Sequence, residues 1–97
     1  MAAYSDNLEF NSEQLAQLID ILEGIRDSVQ TSKTKYVDYV EVQLSPNWTT
    51  DAGKKTVNEL LNFAETDIQG FITYLDQKIS NYEAAQNRTV QINQVGG

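Results

Sequence analysis

The chain has 97 residues, with 14 acidic and 7 basic side chains that give a formal net charge of −7. An acidic surface repels phosphate groups, so nucleic acid and anionic lipid are not the expected partners. Cysteine and histidine are both absent, which excludes disulfides and the usual zinc and transition-metal sites. The length predicts one domain, 1–97, whose small core would gain stability from a partner chain.

The amino-terminal ten residues do not have the pattern of a cleaved signal peptide. They include Asp6 and Glu9, lack a basic start and contain no continuous apolar segment. No apolar run in the chain approaches the roughly 20 residues of a membrane-spanning helix. We therefore expect no membrane insertion, and we expect any export from the cell to proceed without a cleaved leader.

The first predicted element is a helix over about 11–44. This stretch holds no proline and a single glycine, Gly24, and Asn11 or Ser12 can cap its start. Its apolar residues recur at steps of three and four, which is the spacing of one helix face. They are Leu15, Leu18, Leu22, Ile25, Val29, Tyr36 and Val40.

A turn over about 45–50, which contains the only proline, Pro46, separates this helix from a second one over about 51–93. Thr50 or Asp51 can cap the second helix. Its apolar stripe has near-heptad spacing, and Gly70 within it suggests close approach of a neighbouring helix. The stripe comprises Val57, Leu61, Ala64, Ile68, Phe71, Leu75, Ile79 or Lys78, Tyr82, Ala85, Thr89 and Ile92.

These elements predict an all-α fold, an antiparallel two-helix hairpin. The apolar stripe of the second helix is wider than one partner helix can cover, so we expect two hairpins to pair into a four-helix bundle, as a homodimer or a heterodimer. The residues expected at this interface are Leu15, Leu18, Leu22, Ile25, Val29, Leu61, Ile68, Phe71, Leu75, Ile79 and Tyr82.

Catalysis is not expected of this chain. Without His or Cys, a general base would have to be Asp, Glu, Lys or Tyr, and these residues need a pocket that moves their pKa towards neutrality. A two-helix hairpin offers no such pocket. Neither a phosphate-binding loop nor a calcium-binding loop occurs in the sequence. We predict no catalytic residues, no cofactor and no metal.

Trp48 in the turn, followed by Gly53, has two interpretations. In the first, the indole packs over the end of the hairpin and Gly53 relieves crowding beside it. In the second, Trp48 is a recognition knob for a partner protein. Packing is the interpretation that physical principles favour.

An acidic, cysteine-free chain of about this length, with two long helices joined by a turn that contains Trp48 and Gly53, resembles the WXG100 (ESAT-6-like) superfamily of bacterial type VII secretion substrates. The resemblance implies a helical hairpin that dimerises into a four-helix bundle and serves as partner or targeting factor for a secreted toxin. It also implies export from the cytoplasm by a secretion ATPase, without a cleaved signal peptide.

The sequence differs from the family pattern at two points, which makes it a divergent member. Four residues separate Trp48 from Gly53, whereas the family has one. The family's export signal is a tyrosine followed four residues later by an acid, and the candidate with a related spacing here is Phe63 followed by Asp67. Ordinary amphipathic spacing is the alternative explanation of this pair.

Two functions remain open from the sequence. One is a WXG100-like protein of type VII secretion that acts by dimerisation. The other is a helical-hairpin adaptor or chaperone that stays inside the cell, for example of phage origin.

Overall fold

The structure is a computed structural model that describes residues 12–96, and side chains up to residue 87. The described chain consists of two long antiparallel helices, as the sequence predicts. Each long helix contains one π-helical turn. The elements are α1 (Ser12–Tyr39), π1 (Val40–Leu44), α2 (Asp51–Phe63), π2 (Ala64–Ile68) and α3 (Gln69–Gly96). We refer to 12–44 as the first helix and to 51–96 as the second.

The core is a single seam between the two helices. Inward-facing residues of the first helix are spaced alternately by four and three, which keeps them on one face. Leu15, Ile19 and Val40 are buried there. The opposing helix buries Val57, Ala64, Ile72, Leu75 and Ile79. A seam this thin leaves the outer flanks of both helices uncovered.

The π2 turn changes which residues of the second helix face inward. The Gln69 N–H donates to the carbonyl of Ala64, five residues back, so this turn holds one residue more than an α-helical turn. The inward positions therefore step from Ile68 to Ile72, not to Phe71. Ile72 is 4% exposed and Phe71 46%, which corrects the predicted stripe at Phe71.

The connection between the helices is tight and internally hydrogen-bonded. The N–H groups of Asn47 and Trp48 donate to the Leu44 carbonyl at 3.0 and 2.8 Å. Thr50 is the N-cap of α2, and its hydroxyl oxygen accepts from the Gly53 N–H at 3.1 Å. Thr50 thus caps the second helix, one of the two predicted caps. The predicted cap Asn11 lies outside the described residues.

A long-range hydrogen bond joins the two helices at the far end of the hairpin. The side-chain amide of Gln86 donates to the Ser12 carbonyl at 3.3 Å, so the first helix begins beside residue 86. The second helix continues beyond this point to Gly96. The predicted stripe positions Thr89 and Ile92 lie where side chains are outside the described residues.

Gly70 does not mark a close approach within the hairpin, contrary to the expectation from the sequence. A Cβ atom built there meets no heavy atom within 4 Å, because Gly70 is exposed on the outside of α3.

Candidate protein-binding face

The two sides of the hairpin have different chemistry. In a helix each residue is turned by about 100° from the one before it, so the residue preceding an inward one points to one side and the residue following it to the other. Because the two helices are antiparallel, the preceding residues of both helices come to the same side of the pair. The following residues of both helices share the opposite side.

The side formed by the preceding residues is apolar, and we call it the apolar face. Leu18, Ile21 and Ile25 lie along the first helix, before the inward residues Ile19, Leu22 and Arg26. Along the second helix three of the same positions hold large aromatic residues, with Phe63 in edge contact with Tyr36 at 6.1 Å between ring centroids. Seven large apolar residues of the face are each 38–59% exposed: Leu18, Ile21, Ile25, Tyr39, Phe63, Phe71 and Tyr74.

The opposite side, formed by the following residues, is acidic, and we call it the acidic face. Its charges come from both helices and surround the inward cations of the first helix. The guanidinium of Arg26 donates to Asp76 at 3.1 Å. The acidic residues of this face are Asp20, Glu23, Asp27, Glu41, Glu65, Asp76 and Glu83.

Two cations occupy seam positions where an apolar residue would be usual. Lys33 donates to the side-chain oxygen of Gln69 at 2.7 Å and lies 3.9 Å from Glu65. Hydrogen bonds to Asp76 and then to Asp27 raise the pKa of Arg26 above its ordinary value, because both stabilise the charged form. Both cations reach out of the seam towards the acidic face, so neither finds its hydrogen-bond partner on the apolar face.

A cleft of about 320 Å³ opens on the apolar side of the seam, with a mostly apolar wall. The first helix contributes two small residues, Ser28 and Ser32, which continue the stripe of Leu18, Ile21 and Ile25. Val29, Lys33, Tyr36 and Ile68 complete the lining. Because serine side chains are short, the apolar face has a depression here that an apolar side chain from outside could fill.

Trp48 and Gly53 are in contact at the tip of the hairpin. A Cβ atom at Gly53 would lie 2.9 Å from both the Cβ and the carbonyl oxygen of Trp48, so only glycine fits without displacement of the turn. Trp48 itself is 40% exposed. The relief of crowding expected of Gly53 is therefore present, and a large part of the indole still faces outward.

The residues predicted at a partner interface fall into three groups in the hairpin. Leu15, Leu75 and Ile79 are buried in the seam and are not accessible to a partner. Leu18, Ile25 and Phe71 are exposed on the apolar face. The remaining five are partly buried at the seam: Leu22, Val29, Leu61, Ile68 and Tyr82.

Ile21 and Tyr74 were not among the predicted interface residues, yet both are on the apolar face. The sequence does carry a signal for them, since each immediately precedes an inward residue, Leu22 or Leu75. Comparing the residue before and the residue after each seam position separates the two sides of the hairpin.

The candidate export pair, Phe63 and Asp67, lies in the middle of the second helix. Phe63 ends α2 and its ring is in edge contact with Tyr36, while Asp67 belongs to π2 and is exposed. The structure thus places the pair on the apolar face, and the Tyr36 contact gives Phe63 a role in packing.

No family model matches this chain. Likewise, no significant match is found among curated proteins or among solved structures. Within the described residues, no helix combines the length and the apolar character that a membrane crossing requires. The same part of the chain has no cluster of acidic side chains arranged to hold a metal ion.

Proposed function

We propose that this protein acts by binding another protein through the apolar face, pairing with a second helical hairpin into a four-helix bundle. The observation that carries the proposal is the one-sided distribution of large apolar side chains. Seven such residues lie partly exposed on one side, whereas the other side is acidic. An apolar surface of this extent on a small protein is typical of a binding site.

Within this role, we propose a WXG100-like protein of bacterial type VII secretion that serves as partner or targeting factor for a secreted effector. It would be made in the cytoplasm and exported by a secretion ATPase without a cleaved leader. Support comes from the hairpin fold and from the glycine that accommodates a partly exposed tryptophan at its tip. No catalytic step and no cofactor form part of this proposal.

Export is tested by measuring the protein in the culture medium of its native host, with and without an active secretion ATPase. We expect the extracellular protein to disappear when the ATPase is inactive. Detection inside the cells in both cases controls for expression. Equal amounts in the medium of both strains would contradict the proposed secretion role.

Trp48→Ala examines the proposed contribution of the tip. Since 40% of Trp48 is exposed, we expect the variant to fold and to lose export. Thermal unfolding of the purified variant, followed by circular dichroism, is the control. A folded variant exported at the wild-type level would refute recognition at the tip.

The alternative is a helical-hairpin adaptor or chaperone that remains in the cell. The contact between Phe63 and Tyr36 favours it, because that contact gives the candidate export residue a structural role. Asp67→Asn discriminates the two roles of the Phe63–Asp67 pair in a protein that is exported, since Asp67 is exposed and the change leaves packing intact. Lost export would support a signal at this pair, and unchanged export would favour packing as its role.

A further inference from the structure

We propose that the half of the hairpin away from the turn opens and closes by itself, while the half that contains the turn stays folded. We call 36–64 the turn half and 12–22 with 79–87 the open half. Between them lies a middle segment, 23–35 with 65–78, that links the two halves weakly. This inference concerns the hairpin alone and does not depend on the proposed function.

The first helix supplies little core to the middle segment. Between residues 19 and 40, a stretch that the structure describes in full, no residue of the first helix is buried. Two of its seam positions there hold the cations Arg26 and Lys33. The second helix does bury Ile72 and Leu75 in this segment. The apolar seam is therefore continuous along one helix and interrupted along the other.

Clefts flank Lys33 on both sides of the seam. The cleft of about 320 Å³ on the apolar face is lined by Lys33, and so is a second cleft of about 240 Å³ on the opposite side. Gln30, Thr34 and Glu65 contribute to the wall of the second cleft. Side chains that border a gap lose the dispersion contacts that close packing provides. The seam at Lys33 is thus loosely packed on both sides.

Polar contacts do not compensate for this loose packing. The side chains of the Arg26–Asp76 ion pair are 29% and 53% exposed, and ion pairs as accessible as this one contribute little to stability. Lys33 lies 3.9 Å from Glu65, whose side chain is 68% exposed. These contacts hold the helices together in the middle segment without coupling the two halves strongly.

Each half has contacts of its own. In the turn half, the Tyr36 hydroxyl donates to the Leu60 carbonyl at 2.8 Å, and the Tyr36 ring contacts Phe63. The open half has a separate apolar cluster, formed by Leu15, Ile19 and Ile79 with Leu22, Tyr82 and Ala85 against it. Segments with their own contacts and a weak link between them unfold as separate units. Since the turn closes only one half, the other half opens first.

Native-state hydrogen exchange, measured by NMR for individual amides, tests the proposal. We expect the amides of the open half to share one opening free energy, and those of the turn half to exchange roughly tenfold or more slowly. The change should occur as a step across the middle segment. A gradual increase in protection along each helix, or equal protection throughout, would overturn the proposal. Measurement at two protein concentrations identifies any protection that comes from self-association.

Lys33→Met tests the cause of the weak link. Methionine is apolar and flexible, so it can pack against the walls of both clefts without a charge in the seam. We expect the difference in exchange between the two halves to shrink severalfold. Lys35→Met is the matched control, because Lys35 is exposed two residues away. An unchanged difference in Lys33→Met, or an equal reduction in Lys35→Met, would contradict a weak link at Lys33.

Thiol labelling gives a second measurement, since the natural chain has no cysteine. Ile19→Cys and Val40→Cys each place one thiol at a buried position of the first helix, in the open half and in the turn half respectively. We expect the Ile19→Cys protein to react roughly tenfold or more faster, and the addition of Lys33→Met to slow its labelling. Circular dichroism verifies that all variants are helical. Equal labelling rates at the two positions, or no effect of Lys33→Met, would refute separate opening.

Discussion

Gly53 and Gly70 are both helical glycines, and the structure predicts that alanine changes stability in opposite directions at these positions. A Cβ at Gly53 would lie 2.9 Å from the Cβ and the carbonyl oxygen of Trp48. Since these atoms belong to the backbone or are directly attached to it, the turn itself would have to move. At Gly70 a Cβ meets no heavy atom within 4 Å.

The expected magnitudes follow from two opposing effects. Overpacking costs about 1–3 kcal/mol, whereas alanine in place of glycine within a helix gains up to about 1 kcal/mol. Gly53→Ala should therefore lower the free energy of unfolding by about 1 kcal/mol, the middle of the resulting range, and Gly70→Ala should raise it by about 0.5–1 kcal/mol. Each kcal/mol corresponds to a shift in Tm of about 4–8 °C for a domain of this size.

Thermal unfolding by circular dichroism measures both changes, at one protein concentration because self-association would shift Tm. Gly24→Ala is a second control, as a Cβ there also meets nothing within 4 Å. Fluorescence of Trp48, the only tryptophan, reports on the turn. A Gly53→Ala protein that melts at the wild-type temperature or above, with unchanged emission, would refute the steric explanation.

Three further substitutions test the seam, the cap and a partly buried hydrogen bond by urea unfolding. Leu75→Ala removes a side chain that is 4% exposed and should cost about 2–5 kcal/mol, so a loss below 1 kcal/mol would contradict its place in the core. Thr50→Ala removes the acceptor of the Gly53 N–H and should cost about 1 kcal/mol, while Thr50→Asp should retain most of the stability. Tyr36→Phe keeps the ring but loses the 2.8 Å hydrogen bond to the Leu60 carbonyl. We expect this change to lower the free energy of unfolding by about 0.5–1.5 kcal/mol. Unaltered stability would show that water replaces the bond.

Helix periodicity and the turn around Pro46 were sufficient to predict the hairpin from the sequence. The orientation of Phe71 was not predictable in this way, because the stripe was counted at a constant helical period. The wider π2 turn moves the next inward position from 71 to 72, so Ile72 replaces Phe71 in the seam, whereas Leu75 and Ile79 face inward as predicted. Apolar residues at both positions satisfy the pattern equally, so the sequence around them does not reveal the π turn.

The apolar face was predicted only in part for a related reason. A wide apolar stripe was interpreted as one interface, although its members serve two purposes. Leu75 and Ile79 close the hairpin, while Ile25 and Phe71 remain outside. Which residue serves which purpose depends on the direction of the seam, and the seam is set by the packing of both helices.

Arg26 and Lys33 explain why the two sides of the hairpin differ. Each occupies a seam position, and each directs its charge to acceptors on one side, Asp76 for Arg26 and Gln69 for Lys33. Partly exposed ion pairs add little to stability. They do direct both seam charges to the acidic face. The opposite side then carries exposed aromatic and aliphatic residues without a charge from these two seam positions.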